Sequence, residues 1–259
     1  MSFMPFDFSG RDVWVFGGAG YLGQPTVELL VKLGARVLCA DLAGRAEAFV
    51  SAKSLANAVT PVSLDVADAA AKAFVLAHLQ QRGTPHGLVN MTYASTAKRL
   101  DDLTEADFDA ANHGNLTATF LLAREVGNAM AARGGGSIVL FSSMYGTVSP
   151  DPKVYEPPAN PNPIEYGAGK AGIQQMARYL AVHWGRGGVR VNSLSPGPFP
   201  NSNIQRDNPA FVQRIAAKTA LGRIGQASEI AGAVAFLLSD AASYVTGLNL
   251  AVDGGWTAW

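Results

Sequence analysis

Short apolar runs alternate with longer stretches of helical periodicity along almost the whole chain. The first run is Val13–Phe16, followed by a glycine turn and a helical pattern through Val27, Leu30, Val31 and Leu33. Further runs lie at Arg36–Ala40, Val59–Leu64, Leu88–Asn90, Ser137–Phe141, Val189–Leu194 and Leu248–Val252. Helical patterns separate them, around Arg45–Ala56, Ala69–Gln81, Glu105–Arg133, Glu165–Trp184 and Ala227–Leu238. Strands that are apolar on both faces and alternate with helices belong to a parallel sheet covered on both sides. With right-handed crossovers this predicts one α/β domain over residues 1–259. Its core is a doubly wound, mainly seven-stranded, Rossmann-like parallel sheet with helices on both faces.

Two segments break the rhythm, a proline-rich insert at 147–164 and a second stretch at 196–224. Both are too long to be simple connectors, and segments of that length in a compact domain tend to carry function. In an open α/β sheet they belong at the carboxyl ends of the strands, where ligands bind. Prolines 150, 152, 157, 158, 161 and 163 stiffen the insert and bar it from helix or sheet, as befits a wall or lid of a substrate pocket.

The glycine turn reads Gly17-Gly18-Ala19-Gly20-Tyr21-Leu22-Gly23. Glycines at its first, fourth and seventh positions let the backbone turn sharply and approach a pyrophosphate. The following helix offers unpaired N–H groups and a positive dipole end. Asp41 ends the second strand about twenty residues later, where a carboxylate accepts both hydroxyls of an adenosine ribose and repels a 2′-phosphate. NAD is therefore the expected cofactor and NADP the lesser candidate, with Arg36 and Arg45 as possible phosphate partners.

Tyr166 and Lys170 lie four residues apart, so on a helix their heads converge on one ligand. A free phenol titrates near ~10, and a neighbouring cation favours its ionised form, which suits it to general acid–base work. Ser142-Ser143 closes a strand at the same sheet edge.

With these motifs the chain resembles a single-domain member of the short-chain dehydrogenase/reductase family. Further matching stretches are Asp65-Val66 after strand three, Asn90 after strand four, and Asn115 in Gly114-Asn115-Leu116-Thr117. Ser143 in Ser142–Gly146, Arg190–Gly197 and Val252-Asp253-Gly254-Gly255 complete the set. The resemblance implies a catalytic set of Asn115, Ser143, Tyr166 and Lys170. Tyr166 would exchange the proton, Ser143 would hold the substrate oxygen, and Lys170 would bind the nicotinamide ribose and lower the Tyr166 pKa. Asn115 would hold a relay water. Cofactor contacts are implied for Gly17, Gly20, Tyr21, Leu22, Gly23, Asp41, Asp65, Val66 and Asn90, with Tyr166, Lys170, Pro196 and Gly197 on the nicotinamide side. No metal site is expected.

The sequence also departs from the family pattern. Phe16 replaces a threonine that braces the glycine turn, and Asn90-Met91-Thr92-Tyr93 is bulkier than the usual strand-four exit. Candidate substrate residues are Tyr93, Tyr145, Lys153, Tyr155, Phe199 and Asn201, with Lys98 and Arg99 near the rim. This mixture favours a polar, polyhydroxylated or anionic small molecule, sugar- or polyol-like. The rivals are a 3-oxoacyl-thioester reductase of the same family and a cofactor-sensing scaffold without activity.

Twenty basic and twenty acidic residues cancel, which gives no pull towards nucleic acid or an anionic membrane. No apolar stretch approaches the ~20 residues a membrane span needs. The lone Cys39 excludes an internal disulfide and suits a reducing, cytoplasmic compartment. The family's counterparts of the long fourth and fifth helices pair between subunits, implying a homo-oligomer, a dimer or a tetramer. The Trp256…Trp259 end suggests a buried C-terminus.

Overall fold

The structure is a computed structural model and describes residues 5–156 and 160–259. Seven strands form one parallel sheet: β1 (Asp12–Phe16), β2 (Arg36–Asp41), β3 (Val59–Ser63), β4 (Gly87–Asn90), β5 (Gly136–Phe141), β6 (Val189–Pro196) and β7 (Asn249–Val252). Their order is β3-β2-β1-β4-β5-β6-β7, so the chain reverses direction across the sheet between β1 and β4. This switch point opens a crevice at the carboxyl ends of those two strands.

The pleat explains why the strands read as apolar on both faces. Val13 and Val15 of β1 enter one core with Val27, Leu30, Ile230 and Val234. Trp14 and Phe16 enter the opposite core with Val126, Met130, Ile173 and Trp184. Successive side chains of a strand point to opposite faces, so a doubly covered strand has no polar side. The first face is covered by α1 (Gly23–Lys32), α2 (Arg45–Ala52) and, late in the chain, α9 (Ala227–Leu238). The second is covered by α3 (Ala71–Arg82), α5 (Ala118–Arg133) and α6 (Ile164–Trp184).

The single helix expected over Glu105–Arg133 is two helices. α4 (Glu105–Asn112) is capped by a reciprocal Thr104–Asp107 box, and a π-helical turn at His113–Thr117 separates it from α5. Such a turn widens the helix by one residue and is common at functional sites; it carries Asn115. The 196–224 segment is also more ordered than its Pro/Asn/Gly content suggested. Asn201 and Asn208 accept hydrogen bonds from Ile204 and Phe211 backbone amides and start two helices, α7 (Ser202–Asp207) and α8 (Pro209–Lys218). In the insert, Pro152–Val154 makes one 3₁₀ turn capped by Asp151. The expectation for Pro157 and Pro158 lies outside the described residues.

Trp256 is buried as expected, whereas the last residue, Trp259, is 83% exposed. No helix among the described residues is long and apolar enough to cross a membrane.

Candidate active site

β1 runs directly into the glycine turn. Gly17 has φ +80°, a conformation that glycine alone adopts cheaply. A Cβ on Gly23 would come within 2.7 Å of the Gly18 backbone, so the turn closes only with glycine there. Gly20 donates its N–H to the Gly17 carbonyl at 3.1 Å, and Gly23 to that of Gly20 at 3.0 Å. Leu22 sits at the N-cap of α1 and offers no side-chain cap; Gly23 and Gln24 both donate to the Gly20 carbonyl and Pro25 has no N–H, so α1 brings its positive dipole end to the turn. These features fit a dinucleotide pyrophosphate.

The brace expected from a threonine at position 16 comes from elsewhere. Asp41 Oδ2 accepts the Ala19 N–H at 3.0 Å, and Gln24 Nε2 donates to the Ala19 carbonyl at 3.0 Å. Phe16 is instead wholly buried in the second core. Gln24 was not legible as a site residue, since a glutamine in a first helical turn is unexceptional. Beneath the turn, burial pushes the Cys39 thiol up to about 12, so it is an inert core group.

Asp41 is buried at the end of β2 and also accepts the Leu42 N–H at 2.9 Å. Arg45 Nη1 stands 3.2 Å from its Oδ1, which places a cation beside the carboxylate assigned to the ribose. Asp65 Oδ1 caps the turn after β3 through Ala67, and Val66 is half-buried against the second core. Asn90 is buried at the end of β4; its amide donates to Thr119 Oγ1 and accepts from Thr92. Tyr21 Oη accepts from Gln205 at 3.4 Å, which ties the glycine turn to α7. Gly197 donates its N–H to the Val252 carbonyl at 3.0 Å and fixes the exit of β6 against β7.

Tyr166 and Lys170 project from the first two turns of α6. The phenol stands next to Ser143, which leaves β5 beside it and draws the phenol pKa down. Ser143 Oγ also accepts the Tyr145 N–H at 3.1 Å, so the short turn after β5 aims it. Lys170 is almost wholly buried, donates from Nζ to the Phe141 carbonyl at 2.9 Å, and lies 5.6 Å from the centroid of the Tyr166 ring. The neighbouring Ser142 takes no part in this contact: its Oγ donates to the Lys170 carbonyl at 2.7 Å and packs α6 onto β5.

Two electrostatic expectations change. Burial pushes the Tyr166 phenol above its ordinary value, and Ser143 only partly opposes this. Burial also pulls Lys170 down to about 7, so its charge is half lost near neutrality. Lys170 thus supports the phenol by position, bonded to a carbonyl and not to the Tyr166 oxygen, and the expected lowering of the Tyr166 pKa is absent. Asn115, wholly buried, spends both ends of its amide on Ala94, donating at 2.7 Å and accepting at 3.1 Å. Its side chain therefore clamps the β4 exit segment, with one amide N–H and one oxygen lone pair beyond these two bonds.

The same segment is held a second time. Glu165 Oε1 accepts from both the amide and the hydroxyl of Thr96, at 3.1 and 2.8 Å. Glu165 is 0% exposed and its Oε2 has no hydrogen-bond partner among the described residues. Sequence reasoning missed it because an acidic residue in the first turn of a helix is ordinary. Just before the two clamps Tyr93 presents its ring edge-on to Tyr166, with centroids 6.3 Å apart at 89°.

Tyr145 and Tyr155 share a hydrogen bond between their phenol oxygens, 2.5 Å apart. Tyr155 also leans on Phe211 of α8, with centroids 5.5 Å apart. Arg214 Nε donates to the Val154 carbonyl at 3.0 Å, and Lys218 pairs with Asp151 at 2.6 Å. The insert and α8 thus form one joined wall. Phe199 and Asn201 are not brought to it. Phe199 packs under Gly225 and lines a separate hollow with Pro198 and Leu221, while the Asn201 side chain is spent capping α7. Lys98 is paired with Asp107 at 2.6 Å; Arg99 and Lys153 are exposed.

The family model described as enoyl-(acyl carrier protein) reductase matches residues 19–257. The chain is 34% identical over 260 residues to galactitol 2-dehydrogenase (L-tagatose-forming) of Cereibacter sphaeroides, covering 98% of both. A gluconate 5-dehydrogenase from Burkholderia cenocepacia J2315, solved with NADP and tartrate, superposes with a TM-score of 0.86 at 28% identity, covering 98% of both chains. A short chain dehydrogenase from Leptospira borgpetersenii, solved with bound NAD+, gives 0.84 at 32% identity over 99% of this chain and 97% of that one. These neighbours carry both nucleotides, so the ranking of NAD above NADP drawn from Asp41 gains nothing from them. The fold, the glycine turn and the matches over nearly the whole length place the chain in the short-chain dehydrogenase/reductase family of NAD(P)-binding oxidoreductases.

Proposed function

We propose that the chain interconverts a secondary alcohol and a ketone on a polar, sugar- or polyol-like substrate, using NAD(H) and Tyr166 as general acid and base. The observation that carries this reading is the phenol of Tyr166 set beside Ser143, with the buried Lys170 Nζ 5.6 Å from the ring centroid and held by the Phe141 carbonyl. A purely structural tyrosine needs neither partner.

Gly17, Gly20, Tyr21, Leu22 and Gly23 would hold the pyrophosphate and Asp41 the adenosine ribose. Asp65 and Val66 would flank the adenine. Asn90, Lys170, Pro196 and Gly197 would face the nicotinamide half. When bound, the dinucleotide supplies or accepts the hydride. In reduction, Tyr166 Oη gives its proton to the substrate oxygen, and in oxidation it takes that proton back. Ser143 Oγ hydrogen-bonds the same oxygen and fixes its direction. Lys170, its Nζ held by the Phe141 carbonyl, would bind the nicotinamide ribose beside the phenol. Asn115 holds the β4 exit segment against α6, and Tyr93, Tyr145 and Tyr155 wall the space in front of Tyr166.

A panel of sugars, polyols, hydroxy acids and acyl thioesters, assayed with NAD and NADP, tests the reading. Failure of every member while NADH still binds tightly would favour a sensor. The choice of NAD rests on Asp41 alone, and Arg45 at 3.2 Å is the residue that would serve a 2′-phosphate. Asp41→Ala removes the carboxylate and frees that guanidinium. The ratio of kcat/KM with NAD to that with NADP is then expected to fall at least about tenfold, the scale of one charge-assisted contact. An unchanged ratio would show that Asp41 does not read the ribose.

The reading includes a homo-oligomer in the reducing cytoplasm. Phe120 of α5 and Tyr179 and Val182 of α6 are exposed apolar side chains, and Val182 is 84% exposed, which supports pairing of these helices between subunits. Light scattering is expected to give a dimeric or tetrameric mass for the wild type and a smaller one for Val182→Glu. A monomeric wild type would remove this part.

A further inference from the structure

The walls in front of Tyr166 show what kind of molecule the site accepts. They are phenolic and apolar: Tyr93, Tyr145 and Tyr155 ring the catalytic phenol, with Phe211 and Val154 behind them. The titratable groups that bear on Tyr145 and Tyr166 are other phenols and Asp151, and the one cation near them, Lys170, lies 5.6 Å from the Tyr166 ring centroid with its Nζ held by the Phe141 carbonyl at 2.9 Å.

The basic side chains that could have received an anion are already matched. Lys218 is held by Asp151 at 2.6 Å, Arg214 by Glu156 at 2.9 Å, and Lys98 by Asp107 at 2.6 Å. These pairs join the insert to α8 and the β4 exit segment to α4, so diverting a cation to a ligand would undo the wall itself. Arg99 and Lys153 have no ion pair among the described residues and are solvent-exposed. Directly behind Tyr166 lies Glu165, buried, bonded only to Thr96 and matched by no cation among the described residues. A carboxylate on the substrate would lose its water here, while Lys98, Arg214 and Lys218 are held in ion pairs, Lys170 is buried on the Phe141 carbonyl, and Arg99 and Lys153 stand out in solvent.

A hydroxylated neutral molecule meets the opposite situation. The Tyr145–Tyr155 pair has one proton committed between the two oxygens, which leaves one O–H and further lone pairs for a second hydroxyl. Aromatic faces around it suit the C–H face of a sugar-like chain or ring.

We propose that this site selects an uncharged, polyhydroxylated substrate, rejects the corresponding sugar acid, and reads a second hydroxyl through Tyr155. The inference rests on the dehydrogenase reading above and narrows its substrate from polar to neutral. It also divides the relatives: galactitol is neutral, whereas gluconate is an anion.

The test uses matched pairs with the intact enzyme and both nucleotides: galactitol against galactonate, and glucitol against gluconate. The neutral member is expected to have a kcat/KM at least about thirtyfold higher, the scale of leaving one buried charge unpaired. Tyr155→Phe is expected to lower kcat/KM for the polyol about tenfold with NADH affinity unchanged. Equal or preferred use of the aldonates overturns the proposal. So does turnover of other alcohols in the panel with neither pair accepted, and an unaltered Tyr155→Phe removes that residue's role. Turnover of no alcohol or ketone at all, with NADH still bound, overturns the dehydrogenase reading instead.

Discussion

Tyr166→Phe is expected to lower kcat by at least about a hundredfold while NADH binds with unchanged affinity. The substitution removes one oxygen from a half-buried ring whose body packs against the cluster of Met144, Tyr145, Val154, Ile215 and Trp256. Packing is therefore retained, and the loss falls on the proton that Tyr166 exchanges and on its contact with Ser143. General acid–base groups contribute roughly 10²–10⁴ in rate, so a hundredfold loss is the lower end. Burial raises the phenol, so the cofactor-free site rests in the protonated form that reduction draws on. Alcohol oxidation needs the ionised form, so its rate in the wild type is expected to climb with pH, while the Phe variant shows no such climb. Steady-state kinetics with a fluorescence titration of NADH separates the two effects. Near-normal turnover would refute the role of Tyr166, and a parallel loss of NADH binding would make the residue structural.

The fold was readable because its signal is repeated and local. Each strand is short, apolar on both sides and followed by a helix, and only a doubly covered parallel sheet uses such strands throughout. The glycine turn and the Tyr166…Lys170 spacing were readable for the same reason, since each is fixed within one element. What escaped was set by contacts between distant segments. Asn115 and Glu165 both grip the β4 exit, 21 and 69 residues away in sequence, and no periodicity marks such a grip. The π-helical turn at His113–Thr117 hid inside a continuous helical pattern because one extra residue per turn barely alters it. Asn201 was read as a pocket residue from its place after Pro196-Gly197, yet an asparagine before a helix is first a cap. Electrostatics was the least legible part. Burial, which sequence does not report, reverses the expected direction at Tyr166 and holds Lys170 near neutrality.

Lys170→Met is expected to abolish turnover and yet to stabilise the cofactor-free protein at slightly acid pH. Lys170 is almost wholly buried and is pulled from 10.5 to about 7 by desolvation. The unfolded chain keeps the ordinary value, so between pH 7 and 10.5 it binds more protons than the folded chain. Stability therefore rises with pH through that window. Below pH 7 both states are charged and the folded one carries the full cost of a buried ammonium, roughly 5 kcal/mol at about 1.4 kcal/mol per pKa unit. Above 10.5 neither state is charged and the cost vanishes. Methionine keeps the length of the side chain and drops the charge, but it leaves the Phe141 carbonyl without its donor, which costs about 1–3 kcal/mol. The balance favours the variant by about 2 kcal/mol or more at pH 6, or at least about 4 °C in Tm for a chain of this size. That gain is expected to shrink steadily towards pH 10. Calorimetry of both proteins across this range checks the sign directly. A variant that melts earlier at pH 6, or whose difference from the wild type does not change with pH, would show that Lys170 is not a strained buried cation. A stabilised but inactive variant would show that Lys170 is kept for its charge beside Tyr166 at a cost to the resting fold.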